Sequence, residues 1–125
     1  MNNELPRPRE PHVIILRLAG RMMRLDDTNL ESLLGDLLEK SHSHFILDFD
    51  RVEFIDSAGI GLIMKIAAEV QKASGELVMC NPRSNVKNVF VMLGIESRFR
   101  IYDRLGDAIQ HFGNLARVEL INVKF

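Results

Sequence analysis

A short apolar run, interrupted by a single charge, is followed almost at once by a long pattern of helical period, and this pairing constrains the chain more than any other feature. Phe45-Ile46-Leu47-Asp48-Phe49 is too short for an amphipathic helix and too continuous for a half-exposed strand, so it suits a strand buried on both faces. From Ile60 to about Ser74 the apolar residues instead recur at spacings of three and four. Between them Val52-Glu53-Phe54-Ile55 reads as a turn after a strand ending near Asp50, and Asp56-Ser57-Ala58-Gly59 forms the junction with the helix. A short side-chain oxygen at a helix start accepts from an unpaired first-turn amide, so Ser57 or Asp56 caps the helix. A residue here lies at the rim of the sheet, over the positive end of the helix dipole, where a phosphate is favoured. Ser57 therefore has two readings, plain cap and phosphate carrier.

The same change of period recurs along the chain. Val13 to Leu18 reads as a strand ended by Gly20. Leu30, Leu33, Leu34, Leu37 and Leu38 then mark a helix, which Thr28 and Glu31 open as a capping box. Gly75 is the expected C-cap of the second helix, and Leu77-Val78-Met79-Cys80 a buried strand in which Cys80 is a small core residue. Asn81-Pro82 opens a third helix with Val86, Val89, Phe90 and Leu93 on one face, closed by Gly94-Ile95; Val91 and Met92 fall off that stripe. Ile101-Tyr102 is a last short strand segment of this series, and Asp103 caps a helix carrying Leu105, Ala108, Ile109 and Phe112, closed by Gly113. Strands alternating with helices predict an α/β sheet with right-handed crossovers. Residues 1–11, with Pro6, Pro8 and Pro11, read as a flexible leader or edge segment, 12–113 as one domain, and 114–125 as a tail whose short alternations could add an edge strand or engage a partner.

Several function classes fall away. With 16 basic and 17 acidic residues and no basic run, nucleic acid is not an expected partner. A single cysteine excludes an internal disulfide, and the absence of a leader pattern or a bilayer-length apolar run points to the cytoplasm without membrane insertion. His42 and His44 lack further ligands in suitable register, and no metal or other cofactor is expected. A dinucleotide fingerprint would need glycine where Met64 stands, no P-loop lysine follows the glycines, and Ile55 breaks the nucleophile-elbow pattern around Ser57. No catalytic residue is assigned.

On a helical wheel the apolar residues of the second helix fill roughly 200°, about twice what packing on one sheet face requires. The surplus is expected around Gly59, Leu62 and Met64, beside Ser57, either facing a partner or covered by neighbouring helices. Gly59 and Gly61, poor helix formers, would let another backbone approach.

The run Asp56-Ser57-Ala58-Gly59-Ile60-Gly61-Leu62-Ile63, after its strand and Val-Glu-Phe-Ile, resembles the signature of the STAS domain and, more narrowly, of the bacterial anti-sigma-factor antagonists. The proline-led third helix ending in Leu93-Gly94-Ile95 continues the likeness, which spans about His12 to Gly113. It implies a mixed sheet of four to five strands with about four helices mainly on one face. It also implies phosphorylation of Ser57 by a partner that is both anti-sigma factor and serine kinase. Asp56, Ser57, Ala58, Gly59, Ile60, Gly61, Leu62 and Met64 would form the docking surface, joined by Arg21 and Met23 in the loop after the first strand. That loop departs from the family: Arg21 and Met23 stand where acidic residues are usual, and Asp26 and Asp27 come later. A homodimer is left open. The alternative is a STAS assembly subunit of a signalling complex or lipid-transport system, with Ser57 as a cap and no phosphate switch.

Overall fold

The computed structural model describes residues 12–23, 29–114 and 116–125; the leader and the Thr28 cap lie outside them. In order come β1 (His12–Met22), α1 (Asn29–Glu39), β2 (His44–Ile55), α2 (Ser57–Lys72), β3 (Glu76–Cys80), α3 (Ser84–Met92), a 3-10 turn (Ile95–Ser97), β4 (Ile101–Tyr102), α4 (Leu105–His111) and β5 (Arg117–Lys124). The sheet order is β4-β3-β2-β1-β5, and all four strand pairings are parallel. The expected mixed sheet is thus corrected: each successive pair of strands is separated by a helix, which returns the chain to the starting edge, so every strand points the same way.

The order of strands explains where the helices lie. From β1 to β4 the chain steps in one direction across the sheet, and right-handed crossovers then place α1, α2 and α3 on one face. The step from β4 to β5 crosses back over the whole sheet, so the same handedness sends α4 to the opposite face. Two apolar cores result. Ile14, Leu16, Leu18, Phe45, Leu47 and Phe49 pack with α1, α2 and α3, while Val13, Ile15, Ile46, Val78 and Cys80 lie under Ala108 of α4. Phe45 to Phe49 are all buried, as a strand covered on both faces requires. Each such apolar side chain contributes about 1.5–3 kcal/mol.

Two boundaries differ from expectation for physical reasons. β1 does not stop at Gly20. Gly20 has a φ of +105°, and a side chain there would lie 2.7 Å from the Phe125 carbonyl oxygen, so glycine lets the strand pass the end of β5 and continue to Met22. Nor does β2 stop near Asp50. It runs on to Ile55, with two register shifts against β1. Beyond Phe49 only Val52 and Ile55 are buried, a spacing of three produced by bulges in place of the strand period of two.

The helix ends follow the same logic. At the end of α2, Ala73 is the C-cap and Ser74 takes the left-handed conformation (φ 57°), while Gly75 donates to the Val70 carbonyl at 2.9 Å in a Schellman arrangement. Gly75 lies two places after the cap and is needed there because a Cβ would lie 2.2 Å from the Ser43 carbonyl oxygen. Asp103 makes no cap at α4, whose N-cap is Arg104; its carboxylate pairs with Lys87 at 3.8 Å.

Candidate functional site

The junction between β2 and α2 is built around Asp56. Its backbone is extended, and its Oδ1 accepts from the amides of Ala58 at 2.9 Å and Gly59 at 3.1 Å, capping α2. Its own amide donates to the Met22 carbonyl at 3.1 Å, fastening the end of β1 to the start of the helix. Asp56, not Ser57, is therefore the cap. Ser57 is the first residue of the helix, exposed, and its hydroxyl makes no hydrogen bond among the described residues.

The electrostatics also differ from the sequence expectation. The Ala58 and Gly59 amides are already occupied by a carboxylate, so an added phosphate would meet the negative Asp56 instead of those two donors. The nearest lysine along α2, Lys65, pairs with Glu31 at 2.9 Å.

The glycines have distinct roles. A Cβ on Gly59 would lie 2.4 Å from the Met22 carbonyl oxygen and 2.7 Å from Ile55 Cγ1, so the backbone that approaches it is the chain's own β1. Gly61 is exposed, with nothing within 4 Å of a Cβ. Ile60 and Leu62 are each 7% exposed and belong to the core with α1 and α3, while Met64 is half-buried against it. The expected surplus at Gly59 and Leu62 is thus corrected: Gly59 is closed off by Met22 and Ile55 at the ends of β1 and β2, and Leu62 is buried in the core shared with α1 and α3. Of the eight positions from Asp56 to Met64 named for docking, Ser57, Ala58 and Gly61 are exposed, and Asp56 and Met64 partly so.

Arg21 and Met23 lie at the same rim, since Met22 pairs in register with Ile55 and Arg21 with Phe54. Arg21 is exposed, its guanidinium 5.1 Å from the centre of the Phe54 ring, a cation–π contact of about 0.5–1 kcal/mol at the surface. Met23 is half-buried. Asp26 and Asp27 lie outside the described residues.

Three features behind the site were not read from the sequence. Asp48, inside an apolar run, is 1% exposed and accepts from Arg17 Nε at 3.2 Å, Asn81 Nδ2 at 3.3 Å and the Asp50 amide at 3.0 Å. Burial, reinforced by the Asp48 charge, pushes the Cys80 thiol far up from its ordinary value, so it stays protonated. Arg83 Nε and Asn85 Nδ2 donate to the carbonyls of Asp50 (2.9 Å) and Glu53 (2.7 Å), satisfying the edge of β2 that β3 no longer reaches. The only advance signal was a charge in the middle of an apolar strand.

All four histidines gather at the other end of the sheet. His12 and His44 open β1 and β2, His12 stacks edge-on against His42 (4.6 Å), and His111 at the end of α4 contacts Glu76 and lies 2.7 Å from the Tyr102 hydroxyl. No group of three or more His, Cys, Asp or Glu side chains able to hold a metal ion occurs among the described residues. No helix among them is long and apolar enough to cross a membrane.

A parallel α/β sheet whose second strand delivers a capped helix with a free serine at its start is the arrangement of a known domain. Residues 5–108 match the STAS domain family, and the chain belongs to it. Among curated proteins it is 29% identical over 89 residues to BtrV of Bordetella bronchiseptica, named as a candidate anti-sigma factor antagonist; the match covers 71% of this chain and 77% of BtrV. Among solved structures it is similar to the phosphorylated form of the Bacillus cell fate determinant SpoIIAA, with a TM-score of 0.63, 20% identity and coverage of 81% of this chain and 91% of that one. A sulfate transporter family protein from Wolinella succinogenes superposes with a TM-score of 0.70 at 20% identity, covering 80% and 84% of the two chains. The structural likenesses carry the fold.

Proposed function

We propose that this chain is an anti-sigma-factor antagonist, a non-catalytic cytoplasmic binding module that docks on an anti-sigma factor with serine-kinase activity and is released when that partner phosphorylates Ser57. The observation that carries the reading is the free, exposed hydroxyl at the first position of α2, with the capping duty taken by Asp56. Family membership and the naming of relatives such as BtrV support it.

The docking face is Ser57, Ala58 and Gly61, flanked by Met64 on α2 and by Arg21 and Met23 across the rim. Without phosphate its three central residues have small side chains and no charge. A phosphoserine adds about -1.5 to -2 charges. Asp56 holds the adjacent amides and adds its own negative charge, so the phosphate would be directed outward. Burying such a group at an interface with no matched cation costs several kcal/mol, and every 1.4 kcal/mol is tenfold in affinity.

The test is intact-mass and phosphopeptide analysis after incubating the chain with magnesium, ATP and a lysate of the organism that encodes it, with Ser57→Ala in parallel. One phosphate, mapped to Ser57 and absent from the variant, is expected. No phosphate in a lysate that labels a control kinase substrate would overturn the switch. A second reading, a STAS assembly subunit with a permanent interface, draws on the exposed Val91, Met92 and Leu93 at the end of α3. Its association would be stable and indifferent to phosphate.

A further inference from the structure

The two edges of the sheet are treated differently. β4 ends one side with only Ile101 and Tyr102, too short to template another strand. β5 ends the other with eight residues, paired to β1 from His12↔Arg117 to Ala19↔Lys124 without a register shift. Its outer edge meets no strand of the described sheet. Within the strand itself two usual protections of such an edge are missing, since Arg117 to Lys124 contains no proline and no bulge, and between its charged ends the one charge is Glu119.

The apolar surface of the α4 face also runs past its cover here. Val13 and Ile15 are 0% and 3% exposed, yet Val118 and Leu120, beside them in register, are 48% and 42% exposed. One strand-width separates core from surface, because α4 has seven residues and leaves β5 uncovered.

We propose that β5 pairs antiparallel with β5 of a second copy of this chain, about a twofold axis at Leu120, joining two sheets into one of ten strands. An open row of amides and carbonyls is satisfied by an extended strand, and the sequence of β5 selects its own copy. A twofold perpendicular to the sheet keeps each face continuous, so opposed residues must share a face, which limits the fullest overlaps to two, centred on Leu120 and on Ile121, with a centre on Glu119 giving a shorter one. Centring on Glu119 sets two carboxylates against each other, and centring on Ile121 sets Val118 against Lys124. Centring on Leu120 sets Leu120 on Leu120, Val118 beside Asn122 and Glu119 beside Ile121, with no like charges directly opposed. The Val118 and Leu120 side chains of both copies then form one strip, flanked by the two α4 helices on the same face. Ser57 of each copy lies at opposite ends of the joined sheet, so the pairing leaves both docking faces open. It stands or falls independently of the phosphate switch.

The test is sedimentation equilibrium of the full chain over a concentration series, with Leu120→Lys and Leu120→Glu measured alone and mixed. Leu120 is 42% exposed, so neither substitution disturbs the core, and circular dichroism checks that each variant folds. The wild type is expected to be dimeric, each variant alone weakened by about 30-fold, and an equimolar mixture restored, because lysine then meets glutamate at the axis. A wild type that stays monomeric at the highest concentration overturns the proposal. So does a variant that dimerises as the wild type does. A mixture that fails to recover overturns the Leu120 register, and with it the reason for choosing a second copy.

Discussion

The two halves of β2 are one strand in two environments. From His44 to Asp48 it has a partner on each side, β1 and β3, and Phe45 to Phe49 are buried without a break. From Asp50 to Ile55 it keeps only β1, slips register twice, and buries every third residue. The first half holds the molecule together. The second half is bent by its bulges to deliver Asp56 and Ser57 to the rim, with Arg83 and Asn85 standing in for the absent neighbour strand. Rigidity and presentation are thus divided along a single strand, and substitutions should show the division.

The sharpest break is expected where the presenting half meets α2. Gly59→Val would drive a branched side chain into the Met22 carbonyl and Ile55, costing about 3 kcal/mol or more in denaturant unfolding, whereas Gly61→Ala, facing open space, should leave stability equal or raise it by up to about 1 kcal/mol. If both glycines tolerate substitution equally, the junction is not the close-packed point described above.

In the anchoring half, Asp48→Ala removes the partner of the part-buried Arg17 and of Asn81. A loss of about 3 kcal/mol is expected by the same measurement. Cys80, beside Asp48, adds a pH signature. The folded state resists forming the thiolate while the unfolded chain ionises near pH 8.5, so this group leaves stability unchanged below that pH and lowers it above. The expected loss is about 1.4 kcal/mol per pH unit, and Cys80→Ala should lack it. A wild-type slope identical to that of the variant would place Cys80 in contact with water.

Smaller effects belong to the presenting half. Asp56→Ala should cost about 1 kcal/mol through the lost cap. Ser57→Ala should change stability by less than about 0.5 kcal/mol while abolishing any phosphate uptake. A larger loss for Ser57→Ala than for Asp56→Ala would reverse the two roles.

The same division decided what could be read beforehand. Phe45 to Phe49, the leucines of α1 and the stripe of α3 follow regular periods, and their elements stood out. Val52 to Ile55 looked like a turn because a bulged strand follows neither period of two nor period of 3.6. Gly20 and Gly75 looked like stops; each is in fact a point where another backbone passes too close for a side chain. At the site, the pair Asp56-Ser57 was evident, but which of them capped depended on a backbone dihedral. The burial of Gly59 depended on the ends of β1 and β2, and that of Ile60 and Leu62 on the core shared with α1 and α3, which no local pattern contains. The parallel course of β5 followed from α4 crossing the whole sheet, a matter of topology.

The bond between Tyr102 and His111 has an optical consequence. The chain has one tyrosine and no tryptophan, so its ultraviolet emission comes from a single ring on β4. That ring's hydroxyl is held 2.7 Å from an imidazole at the end of α4, an arrangement that favours proton exchange in the excited state and dims the signal. Brightening would therefore mark the parting of α4 from β4, whereas an event confined to Ser57 would pass in the dark.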